Sequence, residues 1–183
     1  MMTFRWKAPS VAGSLLLASV VALSGCGGSP KESEAGNLGR PLAGLFDSPE
    51  ALARAVLEAF AMEDVEGLKA LPLTKEEFRV HVWPKLPASR PERNVPFDYG
   101  WSDLHQKSVG SIASNFKRYR GRKLELLSIT FQGETTDYES FVVRRKSMLR
   151  VKDRDTGEEL TVALFGSVIE WNGKYKLFSY VTD

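Results

Sequence analysis

The stretch Glu159–Trp171, "ELTVALFGSVIEW", runs through Asn172-Gly173 into Lys174–Val181, "KYKLFSYV". Apolar and polar residues alternate on both sides of the Asn-Gly pair. A period of two suits a pleated strand with one buried face. Asn-Gly supplies the two left-handed residues that a tight hairpin needs, so the stretch reads as two antiparallel strands. Gly166 interrupts the first strand, where a bulge or kink is expected to curve it.

Working upstream, "YESFVVRRKSMLRV" (138–151) and "KLELLSITF" (123–131) alternate in the same way, and "DRDTG" (153–157) punctuates the gap before Glu159. The sequence therefore predicts a four-stranded antiparallel meander. Two of its strands are long, so the sheet should twist and bend.

Helical signals precede the strands. Ser48-Pro49-Glu50 places a capping side chain, a proline at the first helical position and an acid in the first turn. Leu52, Ala55, Val56, Ala59 and Phe60 form its apolar stripe, and it should stop near Met62. A short second helix is expected from Asp64 to just before Pro72. Thr74 and Glu77 have the spacing of a capping box. The helix they open carries Phe78 and Val82 and should end before Pro84. Four prolines in "PKLPASRPERNVP" (84–96) then demand an irregular segment. A longer helix is expected over 98–119, with Trp101, Leu104, His105, Ser108, Ile112, Phe116 and Tyr119 on one face and Gly121 as its stop.

Helices followed by a long curved meander predict an α+β domain over 47–183, with the N-terminal helices packed on one sheet face. This order of elements resembles the cystatin-like cone of the nuclear-transport-factor superfamily, which includes ketosteroid isomerase. The resemblance implies a sheet wrapped around the long helix and a pocket at the open end of the cone.

The N-terminal region carries a different message. Arg5 and Lys7 precede an apolar run, "VAGSLLLASVVAL" (11–23), and no acid occurs before Cys26. That is the layout of a signal peptide over residues 1–25. The run is too short for an ordinary membrane-spanning helix, which needs roughly 20 apolar residues. Leu23-Ser24-Gly25-Cys26 resembles the lipobox of bacterial lipoproteins. In that family the cysteine is acylated through sulfur and becomes the new N-terminus. Gly27, rather than aspartate, follows it, which resembles the pattern sent to the outer membrane in Gram-negative cells. The Gly-, Pro- and charge-rich segment that follows completes a lipidated tether over 26–46.

Charge and cysteine usage narrow the function. Without residues 1–25 the chain has 23 basic and 23 acidic residues, a formal charge of zero, which argues against nucleic acid as the main partner. Cys26 is the sole cysteine, so no internal disulfide forms, and His81 and His105 are the only histidines. No spacing suggests a metal site, and no cofactor motif appears.

The densest group of chemical side chains is "FDYGWSDLHQ" (97–106). Tyr99, Trp101, Asp103 and His105 are candidate pocket residues there, with Asp103 as a base and Tyr99 as an oxyanion donor in the enzymatic alternative. Asp98 and Asp103 equally suit a helix start, and His105 suits a packed face. The basic run "KRYRGRK" (117–123) reads first as a solvated helix end, and otherwise as a contact for anionic headgroups.

The expectation is a lipid-anchored protein of the bacterial cell envelope, in the outer membrane of a Gram-negative host. Its domain would be non-catalytic and bind a small apolar ligand or a partner protein. The alternatives are an isomerase- or cyclase-like enzyme and a homodimer. The last draws on Leu160, Val162, Leu164 and Ala163, Phe165, Ile169, which are apolar on both faces of one strand.

Overall fold

The computed structural model describes residues 41–182. The expected signal peptide, Cys26 and most of the tether lie outside the described residues. Four α-helices come first: α1 (Pro49–Ala61), α2 (Val65–Ala70), α3 (Lys75–Glu77) and α4 (Phe97–Tyr119). Seven strands follow: β1 (Leu124–Phe131), β2 (Thr135–Asp137), β3 (Val142–Arg144), β4 (Ser147–Asp153), β5 (Glu159–Val162), β6 (Ser167–Trp171) and β7 (Lys174–Ser179). The architecture is α+β, with helices against antiparallel sheet.

The helix starts form as their sequences dictate. Ser48 Oγ accepts from the Ala51 amide, and Asp64 accepts from Gly67. Thr74 and Glu77 close a reciprocal capping box. The third helix differs from expectation beyond that box. After Glu77 the chain widens into a π-helical turn, Phe78–Val82, in which the Trp83 amide reaches back to the Phe78 carbonyl. It then tightens into a 3₁₀ turn through Pro84. Both turns keep Phe78 and Val82 buried while the proline, which has no amide hydrogen, is passed.

The two long segments of the predicted meander, 138–151 and 159–171, each break in the middle, and β2 adds a short strand that was not expected. The result is a three-stranded sheet, β1-β4-β5, and a four-stranded sheet, β2-β3-β6-β7. The breaks line up across the chain. Gly133 donates to Arg145, Ser147 donates to Gly166, and Gly166 donates to Ser179. Together they form a fold line across the meander. Gly166 is required there, because a Cβ at that position would lie 1.6 Å from the Val181 carbonyl oxygen. In β1 a bulge between Leu126 and Ser128 leaves Leu127 exposed. The β6–β7 hairpin has Asn172 at φ 50° and Gly173 at φ 73°, the two left-handed residues its turn demands.

Two apolar clusters hold the domain together. The first joins Leu52, Val56, Phe60 and Leu68 to Leu149, Val151, Leu164, Phe165 and Tyr180. The second joins Leu42, Leu73, Phe78 and Val82 to Phe141, Val143 and Ile169. Fully burying each side chain of this size contributes about 1.5–3 kcal/mol. Residues 42–46, expected to belong to the tether, are part of the domain. Leu42 is buried, and Phe46 exchanges both backbone hydrogen bonds with Tyr175. Leu and Phe gain more by packing here than by extending the tether.

Both faces of 160–169 are consumed within the single chain: Val162, Leu164 and Phe165 enter the first cluster and Ile169 the second. The two-sided pattern spans two strands of different sheets, β5 at the edge of one and β6 inside the other, rather than one strand.

Candidate ligand-binding cleft

Residues 69–75, the end of α2 and the segment that leads into α3, stand apart from α4 above β7. Leu73 is tied to β7 by its amide, which donates to the Leu177 carbonyl at 3.0 Å. That bond fixes residues 72–75 as one wall. Trp101, Leu104, Ser108 and Ile112 on α4 form the other, and Phe178 and Ser179 of β7 form the floor. Of the residues of α4 only Ser108 and Ile112 are fully buried. The helix therefore turns a half-covered apolar flank toward the gap. The cleft holds ≈ 250 Å³.

The walls are stiffened by two devices. One is aromatic. Phe78 lies 5.6 Å from Trp101, 6.0 Å from Trp83 and 6.1 Å from Phe178, centroid to centroid. Gly100 lets α4 approach this group, since a Cβ there would come within 2.6 Å of the Trp83 ring.

The other device is ionic. The Lys176 ammonium, on β7 and only 4% exposed, lies 2.8 and 2.9 Å from the two Glu77 oxygens and donates to the Ala43 carbonyl at 2.7 Å. Glu77 also accepts from the Thr74 and Ala43 amides. Burial alone would raise the Glu77 carboxyl, but Lys176 and the two amides outweigh it and hold the group below its ordinary value. This network pins the N-terminal segment and the third helix to β7. The capping-box spacing made one of its bonds legible in the sequence; Lys176 lies 99 residues from Glu77.

The four candidate residues of 97–106 do not converge. Trp101 and His105 line the cleft, their rings stacked at 5.5 Å and 20°. Tyr99 is 68% exposed and lies outside it. Asp103 also lies outside, in an exposed i,i+4 pair with Lys107 at 2.8 Å. The reason is helical geometry: Tyr99 and Asp103 are themselves four apart and share a face, and that face is turned from the third helix. A base and an oxyanion donor are therefore not brought together. His81 packs edge-on against Trp171 at 5.2 Å. Among the described residues no group of three or more His, Cys, Asp or Glu is placed to hold a metal ion.

The charged side chains that line the cleft are Lys69 and Lys75, and among the described residues no carboxylate lines it. Lys69 pairs outward with Glu66 and Lys75 with Asp98, each at 2.8 Å. At the floor, Ser108 Oγ accepts from the Tyr180 amide at 3.1 Å, which leaves its own proton for an occupant. Sequence reasoning missed Lys69, Leu73, Lys75 and Phe178 as lining residues, because they come from three separate segments.

The basic run 117–123 is not uniform. Arg122 turns inward and grips Asp153 at 2.6 Å, holding its carboxyl below the ordinary range and closing the β4–β5 hairpin. Lys117, Arg118, Arg120 and Lys123 stay exposed. Among the described residues no helix is long and apolar enough to cross a membrane. Compared with protein-family models, curated proteins and solved structures, the chain matches none.

Proposed function

We propose that this chain is a lipid-anchored envelope protein whose domain binds a small, largely apolar ligand in the cleft between residues 69–75 and α4. The carrying observation is the cleft itself. It is concave, walled by Leu73, Trp101, Ile112 and Phe178, held open by a rigid aromatic and ionic frame, and supplied with few polar groups. That combination is the usual character of a small-molecule site. The absence of a converging base and donor around Asp103 favours binding over catalysis.

The lipid anchor rests on the sequence alone: basic start, short apolar run, Leu23-Ser24-Gly25-Cys26 and a Gly-, Pro- and charge-rich follow-on. A cystatin-like cone is the family reading supported by the folded meander with helices against it, although α4 is only partly wrapped.

The test is native mass spectrometry of the full chain extracted from its own membrane. The wild type should carry a small-molecule adduct that the Leu104→Trp variant, with its cleft filled, has lost. A wild type with no adduct, or an adduct equally present in the variant, would count against the cleft as the binding site.

A further inference from the structure

We infer that the ligand of this cleft is a small amphipathic carboxylate. Its apolar body would lie between Leu73, Trp101, Ile112 and Phe178, and its head at the rim toward Lys69, Lys75 and His105. The inference rests on the reading of this cleft as the binding site and adds the ligand's charge, size and shape.

Charge comes from the lining. Two lysines and a histidine border the cleft without one carboxylate among the lining residues. Both ammonium groups are engaged, but loosely. Their partners Glu66 and Asp98 have side chains 83% and 75% exposed, while the lysines are 45% and 49% exposed. Ion pairs of that kind contribute little and exchange readily. A ligand carboxylate held in place by its buried tail would displace Glu66 and Asp98 from the same ammonium groups at little cost, because the exposed pairs it replaces are weak. No arginine lines the cleft, so the fork that recognises phosphate bidentately is missing. A compact monoanion fits this rim better than a phosphate ester does.

Size comes from the volume. At ≈ 250 Å³ the cleft lies just under the ≈ 300–1,000 Å³ typical of sites for drug-sized ligands, so its occupant is a small molecule. Shape comes from the walls. Trp101 offers a flat face already stacked on His105, and Phe178 and Leu73 close the other sides. An aryl or short alkyl chain bearing one carboxylate matches all three features.

The experiment titrates three probes that share one phenylpropyl body by calorimetry into the full-length chain in nonionic detergent, with protein-free detergent as the blank. The probes are 3-phenylpropanoate, 3-phenylpropan-1-ol and 3-phenylpropylamine. The acid should bind on the order of tenfold tighter than the alcohol, each half-exposed ammonium adding a few-fold. The amine should bind more weakly than either. In the variant Lys69→Gln/Lys75→Gln the acid should fall to the alcohol's affinity while the alcohol stays unchanged. Equal binding of acid and alcohol, tightest binding of the amine, or an acid indifferent to the double substitution would overturn the carboxylate assignment and leave the cleft standing. Failure of all three probes to bind would count against the cleft reading itself.

Discussion

Replacing Glu77 by glutamine should destabilise the domain far more than any exposed ion pair could. The substitution keeps size and shape but removes a charge and one acceptor. In the native network one Glu77 oxygen takes the Lys176 ammonium and the Ala43 amide, and the other takes Lys176 and the Thr74 amide. A glutamine must turn its NH₂ toward one of those donors. Lys176, 4% exposed, would be left with the Ala43 carbonyl and one amide oxygen. Stripping one partner from a buried pair costs about 3–5 kcal/mol, and the retained acceptor places Glu77→Gln near 3 kcal/mol. At roughly 2–4 °C per kcal/mol for a domain of this size, Tm should fall on the order of 10 °C. Lys176→Met should cost less, about 1–2 kcal/mol, because Glu77 keeps its two amide donors. The double variant should be less destabilised than the sum of the singles by about 2 kcal/mol.

The same pair predicts a pH dependence. Glu77 is held below its ordinary value in the folded state. Its contribution is therefore complete above the unfolded value, about 4.3, and is lost as pH falls through the lower folded value. Urea unfolding of wild type and Glu77→Gln should show the full gap at pH 7 and a shrinking gap below about pH 4. A gap under about 1 kcal/mol at pH 7, or one that persists unchanged at pH 3, would refute the reasoning.

Three further outcomes are expected. Gly166→Ala should cost about 2–4 kcal/mol in urea unfolding, because its Cβ would lie 1.6 Å from the Val181 oxygen and would force the fold line open; Gly157→Ala, with open space around it, should cost about 1–2 kcal/mol. Tyr180→Phe should leave stability unchanged or raise it by about 1 kcal/mol, since Tyr180 Oη is buried without a hydrogen-bond partner and burial pushes its pKa far up; a loss of more than about 1 kcal/mol would reveal a bound water. Cys26→Ser should accumulate at precursor mass without incorporating labelled fatty acid, and normal acyl labelling of that variant would sink the lipobox reading.

The fold was legible wherever one local rule decided it. Ser48, Asp64 and Thr74 name their helix starts because a side-chain oxygen three residues from an orphan amide needs no tertiary help. Asn172-Gly173 names its hairpin because few other residues accept that backbone. The fold line was half legible. Gly166 announced a kink, but the matching break at Arg145-Lys146 carries no glycine; there Lys146 itself takes φ 55°, imposed by the strands on either side. Sequence alternation in "YESFVVRRKSMLRV" continues straight through that corner, so period alone could not divide β3 from β4. Likewise "FRVHV" has helical spacing and could not disclose the wider turn that carries it toward Pro84.

The cleft was less legible for a related reason. Chemical density in 97–106 drew attention to Tyr99 and Asp103, yet density along the chain is not convergence in space. On a helix only residues three or four apart share a face, and the face that matters is set by what packs beside it. Trp101 and His105 satisfy that condition because Phe78 packs tilted against Trp101 and residues 72–75 stand opposite. The third helix in turn holds its place through Glu77 and Lys176, which are 99 residues apart. Besides the capping box, the lysine within the alternating strand "KYKLFSYV" is the sequence sign of this arrangement. Lys176 falls between the apolar Tyr175 and Leu177, and a lysine there must either reach water or find a carboxylate. Looking for the acid that such a lysine needs, rather than for clustered catalytic types, is the step that would have led from the sequence to the wall of the cleft.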